Sequence, residues 1–227
     1  MKPQTFSSSR LLIATLFALL VLADTAQAGP PLICHSIEIG DAKSLPWTSH
    51  DWNLSGNETY DLANLVPDTL AILNPATPVL VRMETLRRAT LYARQDPRAA
   101  KELLTKLHSR AINSETAQKS DALAWFDAGY LTESYKAWIG KGESNPAAGL
   151  DGYAWVTKAI SLRGSDPEME FAAALISLQG PQTPNRHHVQ KAIAGAKNDP
   201  LLARNLASRF SGNHGETIAE LLARSTL

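Results

Sequence analysis

The chain has 227 residues, with 22 basic and 22 acidic side chains, so its formal charge is zero. No basic excess exists to neutralise phosphates, which argues against nucleic acid and against anionic membrane surfaces as partners. A single cysteine excludes an internal disulfide, so stability has to come from packing.

Lys2 and Arg10 precede the apolar run Leu11 to Ala23, and Ala26 and Ala28 stand at positions −3 and −1 of a cleavage site. This is the layout of a secretory signal peptide over 1–28, with cleavage expected after Ala28. The apolar run is shorter than the roughly 20 residues that cross a bilayer, so no stable membrane insertion is expected after cleavage. The expected location is periplasmic or secreted. Removing Lys2, Arg10 and Asp24 leaves 20 basic against 21 acidic residues, a charge near −1.

Residues 29–57 begin "GPPLICHSIEIGDAKSLPW" and are rich in Pro, Gly, Ser and Trp without a helical period. They read as an extended N-terminal arm. Cys34, His35 and His50, with Asp51, are weak candidates for a metal site. Zinc sites place cysteines and histidines in spaced pairs, and adjacent residues rarely share one ion. A c-type haem would need a second cysteine. A reactive thiol at Cys34 is a further possibility, since exposed free thiols seldom persist in oxidising compartments. The competing expectation is an apolar plug formed by Leu32, Ile33 and Cys34, with Leu32 to Ile39 running along the helices and covering their apolar surface.

From residue 58 to the end, apolar residues recur at helical spacing: Ala100, Leu103, Leu104 and Leu107 form one such set, and Ala203, Leu206, Ala207 and Phe210 another. No comparable alternation with period two exists, so the expected fold class is all-α. Asp96-Pro97, Asp166-Pro167 and Asp199-Pro200 each put a side-chain acceptor before a proline at the first helical position. Helices are predicted near 58–73, 79–95, 97–111, 117–139, 151–163, 167–179, 186–197, 200–210 and 215–225. Gly140 to Gly152 and Gly180 to Asn185 are predicted loops.

"VTKAISLRGSDP" (156–167) and "VQKAIAGAKNDP" (189–200) agree at six of twelve positions with an offset of 33 residues. Trp125, Ala128 and Gly129 resemble the Trp-x-x-Leu-Gly of the tetratricopeptide repeat, and Leu206, Ala207 and Phe210 its Leu-Gly-x-x-Tyr. Small residues at Gly129, Ala174 and Ala207 would let paired helices approach closely. The chain therefore resembles a degenerate tetratricopeptide-repeat-like protein. The resemblance implies a short right-handed α-solenoid of antiparallel helix pairs over 58–227, behind the irregular arm. It departs from the pattern where the proline that closes a repeat is replaced by Gly164 and Lys197, and where the Trp125 copy runs about eleven residues long. An ordinary helical bundle is the alternative. The arm also resembles the start of a group of exported bacterial proteins of unassigned function.

No catalytic motif is present: there is no G-x-S-x-G, S-x-x-K, H-E-x-x-H or phosphate-cradling glycine loop. Glu168 and Glu170, two apart on a helix, face apart. His187 and His188 read as a solvated helix start. Trp125, Tyr130, Trp138, Tyr153 and Trp155 crowd neighbouring helices, as core residues or as the lining of a peptide groove. By the family resemblance, the expected function is a non-catalytic interaction module for a protein or peptide partner of the cell envelope, with no cofactor. The alternatives are a metal- or thiol-dependent protein using Cys34 and His35, and an envelope enzyme with an unrecognised site.

Overall fold

The computed structural model describes residues 30–48, 54, 56–140, 145–179 and 182–210. The expected signal peptide, His50 and Asp51 of the arm and the predicted helix 215–225 lie outside the described residues. Among the described residues there are eight α-helices and no strand: α1 (Leu65–Ile72), α2 (Val79–Ala93), α3 (Pro97–Thr116), α4 (Ala122–Trp138), α5 (Gly152–Arg163), α6 (Pro167–Ile176), α7 (Gln182–Gly195) and α8 (Pro200–Phe210). None of them is long and apolar enough to cross a membrane.

The Asp-Pro starts appear where the sequence puts them. Asp96 accepts from the N–H groups of Arg98 and Ala99, Asp166 from those of Glu168 and Met169, and Asp199 from those of Leu201 and Leu202. Each satisfies donors that the first helical turn cannot pair internally. Other boundaries shift. A 3-10 turn at Leu62–Asn64 precedes α1, which is shorter than predicted, and α3 runs on to Thr116. α4 starts later, because Asp121 caps it by accepting from Leu123 and Ala124. α7 starts earlier, at Gln182, inside the predicted loop.

The two matched segments form corners with one job. In the first, α5 ends at Gly164 in the left-handed region (φ 79°) before the Asp166 cap. In the second, a 3-10 turn at Ala196–Asn198 leads to Asp199. Glycine takes positive φ without steric cost, whereas Lys197 does not, so the second corner closes by a tighter helical turn instead.

α2 is the central element. Every residue in it except Arg88 is buried, and it touches α1, α3, α4 and α6. Repeats stacked in an open row meet only their neighbours; α2 reaches past its neighbours to α4 and α6. At its start, Glu168 of α6 accepts the Leu80 N–H at 3.1 Å, a carboxylate placed at the positive end of the helix. Arg82, fully buried, pairs with Asp127 of α4 at 2.5 Å. It also donates to the carbonyls of Asn74 and Thr77, closing the corner between α1 and α2. Arg110 donates to the Leu73 carbonyl in the same corner at 2.7 Å.

Asp127 Oδ1 accepts no hydrogen bond among the described residues. Burial raises the carboxyl to about 6, against the opposing pull of Arg82. The folded chain therefore holds this proton over a range where the unfolded chain has released it. That contribution to stability is complete below about pH 4 and is lost as pH rises through 6. Relative to Asp127→Asn, the native protein is expected to lose up to roughly 3 kcal/mol between pH 4 and pH 7, measured by urea unfolding at both. A gap that does not change with pH would mean that Arg82 keeps Asp127 ionised throughout.

Candidate functional site

The arm lies over α2 and α8, and it corrects the uniformly extended arm expected: the Ile33 and Cys34 N–H groups close a turn on the Pro30 carbonyl, and a second turn follows at Ile39–Ala42. Leu32, Ile33, Ile37 and Leu45 are buried, so the expected cover over apolar surface is present. Cys34 is only half-buried, and this corrects the plug expected from Leu32, Ile33 and Cys34: the buried anchors are its neighbours. Burial pushes the Cys34 thiol up despite Arg87 and Arg209, so it is held as the thiol and not as a reactive thiolate. Burial and the same two arginines lower His35. Among the described residues no three of His, Cys, Asp and Glu stand together as metal ligands.

Polar contacts between arm and helices go mainly to the arm's main chain. From α2, Glu84 accepts the Ile37 N–H at 2.8 Å, Arg87 donates to the Ile33 carbonyl at 2.9 Å and Arg88 to that of Leu45 at 2.6 Å. Tyr92 donates to the Pro46 carbonyl at 2.5 Å. From α8, Asn205 both accepts the Glu38 N–H and donates to the Glu38 carbonyl, each at 2.9 Å. Arg209 donates to the carbonyls of Pro31, His35 and Ser36. Burial lowers Arg209 to about 10, still cationic at neutral pH. Trp47 lies edge-on to Tyr92 at 5.9 Å, with the Arg87 guanidinium 5.2 Å from its ring. A helical body has no sheet edge to offer an extended chain, so long side chains supply the pairing. Beside the arm, an open cleft of about 370 Å³ is lined by Ala42, Lys43, Ile72, Thr77, Pro78 and Val81 among others.

The five candidate aromatics do not share one groove. Trp125 is 4% exposed. Trp155 of α5 meets it edge-on at 6.0 Å and stacks on His108 of α3 at 4.3 Å and 15°. Lys158 places its ammonium 3.9 Å from the Trp125 ring and pairs with Glu115 of α3. Tyr130 is fully buried and stacks on Phe126 at 5.7 Å, out of reach of any partner. Trp138, half-buried, lies under Arg94 at 5.2 Å. The separation is geometric: at about 100° per residue, positions 125, 130 and 138 of one helix point to different sides. Trp125, Trp155 and His108 therefore form one seam between α3, α4 and α5. Ile112 and Leu162, 42% and 44% exposed, lie one or two turns further along α3 and α5.

Tyr153, the fifth aromatic, belongs to a polar chain that the sequence does not announce. Its hydroxyl is 2.8 Å from His188 Nε2, and His188 Nδ1 is 2.5 Å from Glu170 Oε2. Two groups donate to Glu170 Oε1: Lys191 Nζ at 3.0 Å and the Ser165 hydroxyl at 3.2 Å. Burial pushes Glu170 up, but the hydrogen bonds from His188 and Lys191 outweigh it and hold the carboxyl below its usual range. An ionised carboxylate only accepts, so Nδ1 carries a proton toward Glu170, and in the neutral imidazole Nε2 is left to accept from Tyr153. Burial and Glu170 raise the Tyr153 phenol, which stays protonated. The chain thus satisfies a buried carboxylate and fixes one imidazole tautomer. His188 is buried, correcting its reading as a solvated helix start, whereas Glu168 and Glu170 do face apart.

Glu84, Arg87, Asn205, Arg209 and His188 were not singled out as functional. One signal was available in α2: at about 100° per residue, Arg82 falls opposite Glu84, Arg87 and Arg88, so no single solvent face takes them all. Compared with known proteins, the chain matches no family model, no curated sequence and no solved structure.

Proposed function

We propose that this chain is a non-catalytic binding module for a protein or peptide of the cell envelope, exported by its leader and met by its partner along the α3–α5 seam. The carrying observation is the stack of Trp155 on His108 over Trp125, near the exposed apolar side chains of Ile112 and Leu162. Rigid aromatics lose little conformational freedom on binding and dominate interface hot spots. In this reading the helices from Ala122 onward are degenerate tetratricopeptide-like units in a short right-handed array. Gly129 meets Gly152 and Trp125 meets Trp155; likewise Glu170 meets His188 and Ala174 meets Asn185. Each pair of contacts steps in opposite directions along its two helices, which supports antiparallel pairs.

A photo-crosslinker at Ile112 or Leu162 in the native envelope is expected to capture one protein, and Trp155→Ala to weaken that capture tenfold or more, as hot-spot truncations do at about 2 kcal/mol. Capture that ignores Trp155→Ala, or no capture at either position, would remove the seam as an interface.

A further inference from the structure

The structure assigns a second binding site, independent of the seam: the surface of α2 and α8 beneath the arm is a peptide site that reads main chain, and we propose that it also accepts residues 30–47 of a second copy of this chain. Three observations carry this. The first is chemical. Glu84, Arg87, Arg88, Tyr92, Asn205 and Arg209 all bond to N–H or C=O groups of the arm, and Asn205 takes both groups of Glu38. Main-chain pairing holds a segment that enters as a turn at Pro30–Cys34 and continues past Ile37, and the burial of Ile33, Ile37 and Leu45 selects apolar side chains at those places. This is how extended peptides are bound elsewhere: main-chain bonds hold the segment and pockets choose it.

The second observation is topological. The contacts to α8 join residues 166 to 178 positions apart, so they have the same geometry whether the arm comes from its own chain or from another. Exchange then keeps these contacts. Its balance is set by the effective concentration of the tethered arm, of millimolar order for a short tether, against the concentration of the chain itself. The third is self-complementarity. The segment that fits this surface is carried by every copy, and reciprocal exchange of an identical element closes into a two-fold dimer. An arm from Pro30 to Trp47 spans at most about 60 Å when extended, enough to reach a neighbouring molecule.

The test uses the full mature chain with Cys34→Ser. Ser44 Oγ and Thr85 Oγ1 are 2.9 Å apart, and Thr85 is fully buried beneath the arm, so a thiol there meets one at position 44 only through a seated arm. Chains carrying Ser44→Cys alone and Thr85→Cys alone are mixed at increasing concentration and oxidised. The expected result is a covalent heterodimer whose yield rises with concentration and falls several-fold with excess synthetic peptide 30–47. The same chain with both cysteines should close as a covalent monomer at low concentration. A closed monomer without heterodimer would show that the arm seats only in its own chain, and a heterodimer indifferent to the peptide would show chance thiol contact; either overturns the proposal. Sedimentation of the unmodified chain needs no variant: a dimer at high concentration that the peptide dissolves is expected, and a monomer throughout overturns it.

Discussion

Gly129→Ala is expected to destabilise the protein by about 3 kcal/mol, although alanine is the better helix former by roughly 1 kcal/mol. A Cβ on Gly129 would stand 2.6 Å from the Gly152 carbonyl oxygen and 2.9 Å from the Val156 amide nitrogen. Both are backbone atoms of α5 and cannot rotate away. The contact is mutual, since a Cβ on Gly152 would stand 2.5 Å from the Gly129 carbonyl. The helices would have to separate, and the packing of Trp125 against Trp155 would loosen with them. Overpacking of this kind costs about 1–3 kcal/mol, at the upper end where the neighbour is rigid. The measurement is urea unfolding of Gly129→Ala beside Gly164→Ala, whose Cβ meets nothing within 4 Å and whose cost is only that of positive φ. Equal losses in the two variants would mean that α4 and α5 re-seat freely.

Glu84→Ala is expected to cost about 3–5 kcal/mol and to release the arm locally, the amount lost when one partner of a buried ion pair is removed. Glu84 is fully buried and takes Arg87 at 2.8 Å, Arg88 at 2.7 Å and the Ile37 N–H at 2.8 Å. Without it, two guanidiniums stand together with carbonyls and the Trp47 ring as their remaining partners. Urea unfolding reads the global loss, and hydrogen exchange at Ile37 reads the arm. Unchanged protection at Ile37 would show that the remaining contacts from α2 and α8 hold the arm without Glu84.

Local signals carried far along this chain. Each Asp-Pro start is readable because the cap, the proline and the donors they serve lie within four residues of one another. The small residue at Gly129 announced a close crossing for a similar reason: the absence of a side chain is itself a sequence feature. The arm was legible as an apolar cover, through Leu32, Ile33 and Ile37, but not its partners. The aromatic cluster was legible in composition and not in space, because Tyr130 and Trp125 leave α4 on different sides.

The lack of an internal disulfide, the all-helical class and most helix boundaries follow from composition or from residues close in the chain, where each signal is complete in itself. The Arg82–Asp127 pair, the bonds of Glu84 and Arg87 to the arm, the Glu170–His188–Tyr153 chain and the clamp of α8 on the arm depend on partners 18 to 178 positions away. A charged side chain looks the same in sequence whether water or a distant carbonyl solvates it. Only the packing of α2 at the centre, with Arg88 alone left partly to solvent, turns Glu84 and Arg87 from surface chemistry into the polar framework that holds the arm, and Arg82 into the lock on the α1–α2 corner and α4.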